Sequence, residues 1–296
     1  MTRWGISQSS IDSLGNSISQ SEQFNSRLEP TQIAAGSLMT LGYGYGTTNN
    51  NGNPLSHTIA RPGVSTSLSY GYDGANRLAS ASQTGTTVWS QTYGFDNFGN
   101  RWLNTYSGLP APTVEVPRTS SWYGTNNRIS TWSYDSAGNI LLVNGMMRTF
   151  TYNAENLQIT AAVNGTTTTY LYDGNGQRVK KTVGAGTPTV YVYDAMGSLA
   201  VEYGLPFEVG TRYLTPDSLG STRLVTKSDG TVDRSYDYLP FGELIGASYP
   251  SAPSGPSQKF TGQERDAENG LDNFQARYAS GPQGRFQSPD SPPQLY

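Results

Sequence analysis

Apolar and polar positions alternate in short runs along most of the chain, and each run stops at a turn signal. Residues 166–172 read TTTTYLY and residues 189–193 read TVYVY. A period of two carried by β-branched and aromatic residues predicts half-buried strands. The runs close on an aromatic followed by Asp or Asn, with Gly or Asn shortly after. The pair occurs as Tyr72-Asp73, Phe95-Asp96, Tyr134-Asp135, Tyr152-Asn153, Tyr172-Asp173, Tyr193-Asp194 and Tyr236-Asp237, while Pro216-Asp217 keeps the phase without the aromatic. From Tyr72 the intervals are 23, 39, 18, 20, 21, 23 and 20 residues, so a period near 20 holds, with one unit missing. Asp caps its own backbone in a turn and Gly or Asn accepts positive φ, so each unit reads as one hairpin. Asn144-Gly145, Asn164-Gly165 and Asp229-Gly230 mark further hairpin turns.

A lone hairpin is marginal in water, whereas stacked hairpins share a face and leave only terminal edges unpaired. Strand twist then predicts one continuous ribbon that curves and spirals. The expected fold is all-β: an antiparallel sheet of stacked hairpins forming a partial shell or barrel, with a small C-terminal plug. The tyrosine rings are expected to ladder on one face with their hydroxyls at a polar boundary. No unit can be phased before Tyr43, and the proline-bearing stretch SGLPAPTVEVPRTS (107–120) degrades the period. Four segments follow: an irregular 1–42, a repeat sheet over 43–246, a Ser/Pro/Gly linker over 247–258, and a plug over 259–296. The most helix-tolerant stretch, 262–278, is interrupted by Gly270.

Composition narrows the function. Hydrophobic residues are 35% and charged residues 14%, with 20 Tyr and 34 Gly, which suits strands joined by many turns rather than disorder. A net charge of −3 with 19 Lys+Arg argues against a nucleic-acid footprint. The longest basic block, RVKK (178–181), reads as the solvated face of a strand. The absence of cysteine excludes disulfides and thiolate metal sites. No apolar run approaches the roughly 18 residues of a membrane helix. The first ten residues lack the apolar core of a signal peptide, so the chain either is not exported by that route or is a piece of a longer polypeptide.

The motifs DSLGSTRLVTKSDGTVDRSYDYLPFGE (217–243), KFTGQERDAENGLDNFQARY (259–278) and GRFQSPD (284–290) resemble the C-terminal core of RHS/YD-repeat proteins. The upstream units match only the looser Tyr-Asp pattern. The resemblance implies a strip of β-sheet spiralling into a hollow shell, a core segment that closes one end, and a C-terminal segment, often a toxin, held inside. It implies a bacterial protein, secreted or on the cell surface, and in several members an aspartyl self-cleavage that frees the C-terminal segment.

Such cleavage needs two carboxylates that share a proton. The candidates are Asp266 and Asp290, with Arg265 placed to tune a carboxylate. Three departures from the family count against it. Ser280 stands where the family carries Asp in RYYDP, Asp290 is followed by Ser291-Pro292, and no cargo follows Tyr296. No cofactor and no metal is expected: Asp173–Gly176 lacks a full calcium ligand set. The Gly42–Gly46 run lacks the Lys-Ser/Thr of a phosphate loop. His57, the sole histidine, reads as non-catalytic. The expected function is a shell or scaffold around the chain's own C-terminal cargo or completed by a partner shell chain. The alternatives are an aspartyl autoprotease and a carbohydrate- or protein-binding surface. An exposed row of Trp89, Trp102, Trp122 and Trp132 would favour the latter.

Overall fold

The computed structural model describes residues 9–197, 199–204, 210–245 and 255–290. It is all-β, with 48% of residues in strands and antiparallel sheets that do not close, and the described residues include two 3-10 turns of three residues. The first nine strands, from Ser9–Ser13 to Arg101–Ser107, pair in sequence order. The next eight, from Ser133–Tyr134 to Leu199–Tyr203, form a second sheet in sequence order. A three-stranded sheet spans Arg212–Pro216 to Val232–Ser235, and a four-stranded one spans Glu264–Arg265 to Arg285–Phe286.

One local device generates the long sheets. In most units the aromatic at position i pairs with residue i+6, and residue i−1 pairs with i+8, so one residue is skipped; in the Phe95 unit Gly94 faces Trp102 and the skip falls between Tyr93 and Thr92. Tyr72 faces Leu78 while Gly71 faces Ser80; Tyr152 faces Gln158 while Thr151 faces Thr160; Tyr172 faces Arg178 while Leu171 faces Lys180. Tyr193 and Pro216 follow the same register. Between the paired residues runs a tight turn. The Asp73 carboxylate accepts from the Ala75 and Arg77 backbone N–H groups, and Asp173 does the same with Asn175 and Gln177. The turn's fourth residue sits in the left-handed region, as at Asn76 (φ 60°) and Gly176 (φ 77°), which explains the Gly/Asn spacing in the sequence. The skipped residue is a β-bulge, and it sharpens the local twist where it occurs.

The tyrosine hydroxyls tie successive units together. Tyr123, Tyr172, Tyr193 and Tyr238 donate to the carbonyls of Arg101, Gln158, Arg178 and Thr222, at 2.5, 2.7, 2.9 and 3.0 Å. Each acceptor is the residue paired with the aromatic of the preceding unit, or with Pro216 in its place for Thr222. Burial pushes the Tyr172 and Tyr123 phenols up to about 12, so they stay protonated donors.

Four expectations change. The stretch 1–42, expected to be irregular, carries strands from Ser9 onward, including Ser19–Phe24, Pro30–Ala35 and Met39–Gly44. Phe24-Asn25 is a full unit: Phe24 faces Pro30, and Asn25 Oδ1 accepts from the Arg27 and Glu29 backbone. It is hidden in the sequence because Leu28 occupies the left-handed position (φ 62°) where Gly or Asn is usual. Leu28→Gly should therefore raise stability by about 1 kcal/mol, read as a higher midpoint in denaturant melts.

The unit assigned to Tyr236-Asp237 is shifted by two residues. Tyr238 bridges Leu244, and Leu239 and Gly242 close the turn. The single ribbon is interrupted after Ser107, after Tyr203 and again after Ser235, giving four sheets. Pro110, Pro112 and Pro117 lack the N–H groups a ladder needs, although a Tyr123–Ile129 bridge preserves one unit there. Residues 247–254 of the 247–258 linker lie outside the described residues. Its end already belongs to the plug, where Ser257 O accepts from Arg265 N and Gln258 bridges Glu264.

Both long sheets bury one face, and the chain's own C-terminal third covers it. Ile33, Leu41, Ile59, Leu68 and Trp89 of the first sheet pack with Leu224 of the three-stranded sheet. Asn16 Nδ2 adds a buried 2.8 Å bond to Thr226 Oγ1. Ile140, Val143, Phe150 and Tyr170 of the second sheet pack with Leu271 and Tyr278 of the plug.

Candidate functional site

The chemistry of the molecule concentrates where the plug enters the second sheet. The bulge at Tyr172 flips strand parity, so Arg178 and Lys181, three residues apart, point to the same inner face. The RVKK block is therefore not a solvated face: Arg178 is 1% and Lys181 8% exposed, while Lys180 faces out. From the plug come Glu264, Asp266 and Glu268.

Asp266, with no exposed surface, accepts from Arg178 Nη1 at 3.0 and 3.1 Å and from Lys181 Nζ at 2.8 Å. Arg178 Nη2 lies 2.5 Å from Glu264, and Lys181 Nζ lies 3.4 Å from Glu268. Tyr278 accepts from Arg178 Nη1 at 2.6 Å, and Tyr191 donates to Glu264 at 2.8 Å. Asn269 donates to Tyr170 at 2.8 Å.

Burial raises the Asp266 carboxyl, but Arg178 and Lys181 outweigh it and hold its pKa below the ordinary value. Burial, and then the Asp266 charge, raise Glu268. Burial and the Glu264 charge raise Glu202, which flanks the cluster. Two cations thus face four carboxylates, and the site carries excess negative charge. Among the described residues, no cluster of His, Cys, Asp or Glu is arranged to hold a metal ion.

The candidate protease residues occupy separate surroundings. Asp266 lies inside the cation cluster. Asp290 has a side chain 83% exposed and lies 3.4 Å from Arg277. Arg265 clasps Asp272 with two bonds of 2.7 and 2.8 Å. No hydrogen bond or ion pair among the described residues joins Asp266 to Asp290. Ser280 is buried in the plug. The tryptophans form no exposed row: Trp89 and Trp132 are buried, and Trp102 and Trp122 are half-buried.

A second feature is a groove of about 660 Å³ between the inner face of the first sheet, the proline-rich stretch and residues 237–245. Its walls are mostly apolar, with Leu103, Leu109, Val116 and Leu239, and Arg101 and Glu243 at one side. Burial raises Glu243 despite Arg101.

His57 faces the Arg223–Asp217 ion pair and stacks on Tyr43 at 4.7 Å with an 8° interplanar angle. Burial, and then Arg223, push its pKa down to about 3. An unfolded histidine takes a proton below about pH 6.5, which the folded one refuses, so stability is lost as pH falls through the unfolded value. Between about pH 6.5 and 5, the chain should lose roughly 2 kcal/mol relative to His57→Phe, measured by denaturant melts of both proteins.

No known family model matches the chain. It is 39% identical over 103 residues to salivary gland surface protein 1 of Aedes aegypti, covering 34% of this chain and 3% of that protein. It is 27% identical over 247 residues to the tRNA3(Ser)-specific nuclease WapA of Bacillus spizizenii, covering 75% of this chain and 10% of that one. Among solved structures it resembles the TcdB2-TccC3-Cdc42 complex, with 18% identity and a TM-score of 0.71 over 95% of this chain and 17% of that one. TcdB2-TccC3 without its hypervariable C-terminal region gives 19% identity and a TM-score of 0.71 over the same shares. The chain spans a tenth or less of these curated relatives. At such low identity to the solved chains, what is shared is the fold: an antiparallel β-shell of the kind found in that toxin complex.

Proposed function

We propose that the chain is a self-filled segment of an RHS-type toxin or surface-protein shell, secreted or displayed by a bacterium, and that it acts as a scaffold. The observation that carries this reading is the use of the inner faces. Both long sheets turn their buried side toward residues from 210–245 and 255–290 of the same chain, and the Arg178 cluster anchors the plug there. The remaining groove, about 660 Å³, is far too small for a folded cargo. A domain of ~100 residues has a radius of gyration of about 13 Å. A cargo segment would therefore be presented by this part of the shell, and enclosing one would require further shell from the same polypeptide or a partner chain.

The test appends a reporter with a protease site after Tyr296. The scaffold reading expects an intact junction over days and a reporter that added protease cuts as fast as it cuts the free peptide. Self-release in the wild type that stops in Asp266→Asn or Asp290→Asn would replace the scaffold reading with the autoprotease reading.

A further inference from the structure

Where the end of the plug meets the start of the second sheet, a cleft of about 380 Å³ opens between two arginines from distant parts of the chain. Arg128 lies in the turn of the Tyr123 unit, and Arg285 lies in the last plug strand. Both are held in place. The Arg128 guanidinium sits 5.1 Å from the centre of the Tyr134 ring, and Arg285 sits 5.8 Å from that of Tyr123. Arg285 Nη2 also donates to the Asn127 carbonyl at 3.3 Å, while its Nη1 is buried and has no partner.

Several other arginines carry their counter-charge, while the buried Arg101 donates to the Gly281 and Pro282 carbonyls and lies on the Phe241 ring. Arg148, Arg178, Arg223 and Arg265 each hold a carboxylate within 3.0 Å. Neither Arg128 nor Arg285 has a described carboxylate within 4.0 Å, and no Asp or Glu lines the cleft. Arg118 also lacks a carboxylate, but it is spent singly on Leu103 O and the Tyr106 ring. Two guanidinium groups converging on one cleft without a counter-ion are a different arrangement. Burial raises the phenol of Tyr134, and the charges of Arg285 and Arg128 both oppose that shift. Phe286, Pro289 and Ile140 supply an apolar wall beside them.

We propose that this cleft binds a dianionic oxyanion of phosphate size between Arg128 and Arg285. Two unneutralised positive charges match a dianion better than a monocarboxylate, and the guanidinium fork suits tetrahedral oxygens.

The test is calorimetric titration of the whole chain with inorganic phosphate at constant ionic strength, with acetate and chloride as comparison ions. Arg128→Gln and Arg285→Gln are run alongside, with melting curves to show that both variants stay folded. The expected result is saturable phosphate binding that acetate does not reproduce, weakened at least tenfold in each variant. Phenyl phosphate then distinguishes the source: tighter binding than phosphate assigns a phosphoryl group on an apolar body, and equal binding assigns the free ion. Unsaturable binding, or equal binding to wild type and both variants, overturns the proposal. Should one variant fail to fold, the other together with Arg285→Lys decides it: Lys keeps the charge but loses the fork, so undiminished affinity there counts against the site.

Discussion

Arg178→Met should cost about 3–5 kcal/mol of folding stability and free the plug from the second sheet. Methionine fills much of the same space, so the loss is electrostatic. Among the described residues, Arg178 alone touches both Glu264 and Asp266 through separate nitrogens while also donating to the Tyr278 and Tyr191 hydroxyls. Without it, Lys181 alone must balance Glu264, Asp266 and Glu268 inside the fold. A buried carboxylate stripped of its partner is expensive, whereas replacing both members of a pair by neutral groups is much less so. The double substitution Arg178→Met with Asp266→Asn should therefore recover a large part of the loss. Denaturant melts of the two single variants and the double variant give the coupling directly. Additive losses would mean that the cluster does not act as one unit.

Trp89→Ala should cost about 3–5 kcal/mol, the range for removing a large aromatic from a packed core. Trp89 is 1% exposed and stands among Ile59, Leu68 and Ala81 on the inner face of the first sheet. A ligand-binding tryptophan on a solvated sheet would give the opposite pattern, with little change in stability and a loss of binding. Far-UV and near-UV melts of Trp89→Ala thus decide between scaffold and binding surface at this residue. A variant as stable as the wild type would contradict the assignment of the inner face.

Much of the fold is legible in the sequence because turn chemistry is local. Asp-x-x-Gly after an aromatic names the capping carboxylate and the left-handed residue, and Tyr72, Tyr152 and Tyr172 fall where the pattern places them. The pattern fails where another residue tolerates the same backbone. Leu28 hides the Phe24 unit, and at Tyr238-Leu239 a neighbouring Tyr236-Asp237 pair offers a false phase. The inner cluster is illegible for a different reason. Strict alternation assigns Arg178 and Lys181 to opposite faces, and only the skipped Val179 brings them together. The same bulge at Tyr72, Tyr152, Tyr172 and Tyr193, placed six and eight residues from the aromatic, is the signal that could reveal it. Asp266 stands out in the sequence as a carboxylate within a plug motif. Its partners lie 85 and 88 residues upstream, and no local pattern connects them.

Amide hydrogen exchange under native conditions tests the central claim most directly. If the plug completes the second sheet, the amides of Asp266, Leu271 and Gln287 should exchange through the same opening as those of strands Thr166–Tyr172 and Arg178–Val183, with one free energy and one denaturant dependence. Plug amides that exchange freely while those strands stay protected would show that the sheet holds its shape without the C-terminal segment, and would contradict the plug's role in completing the fold.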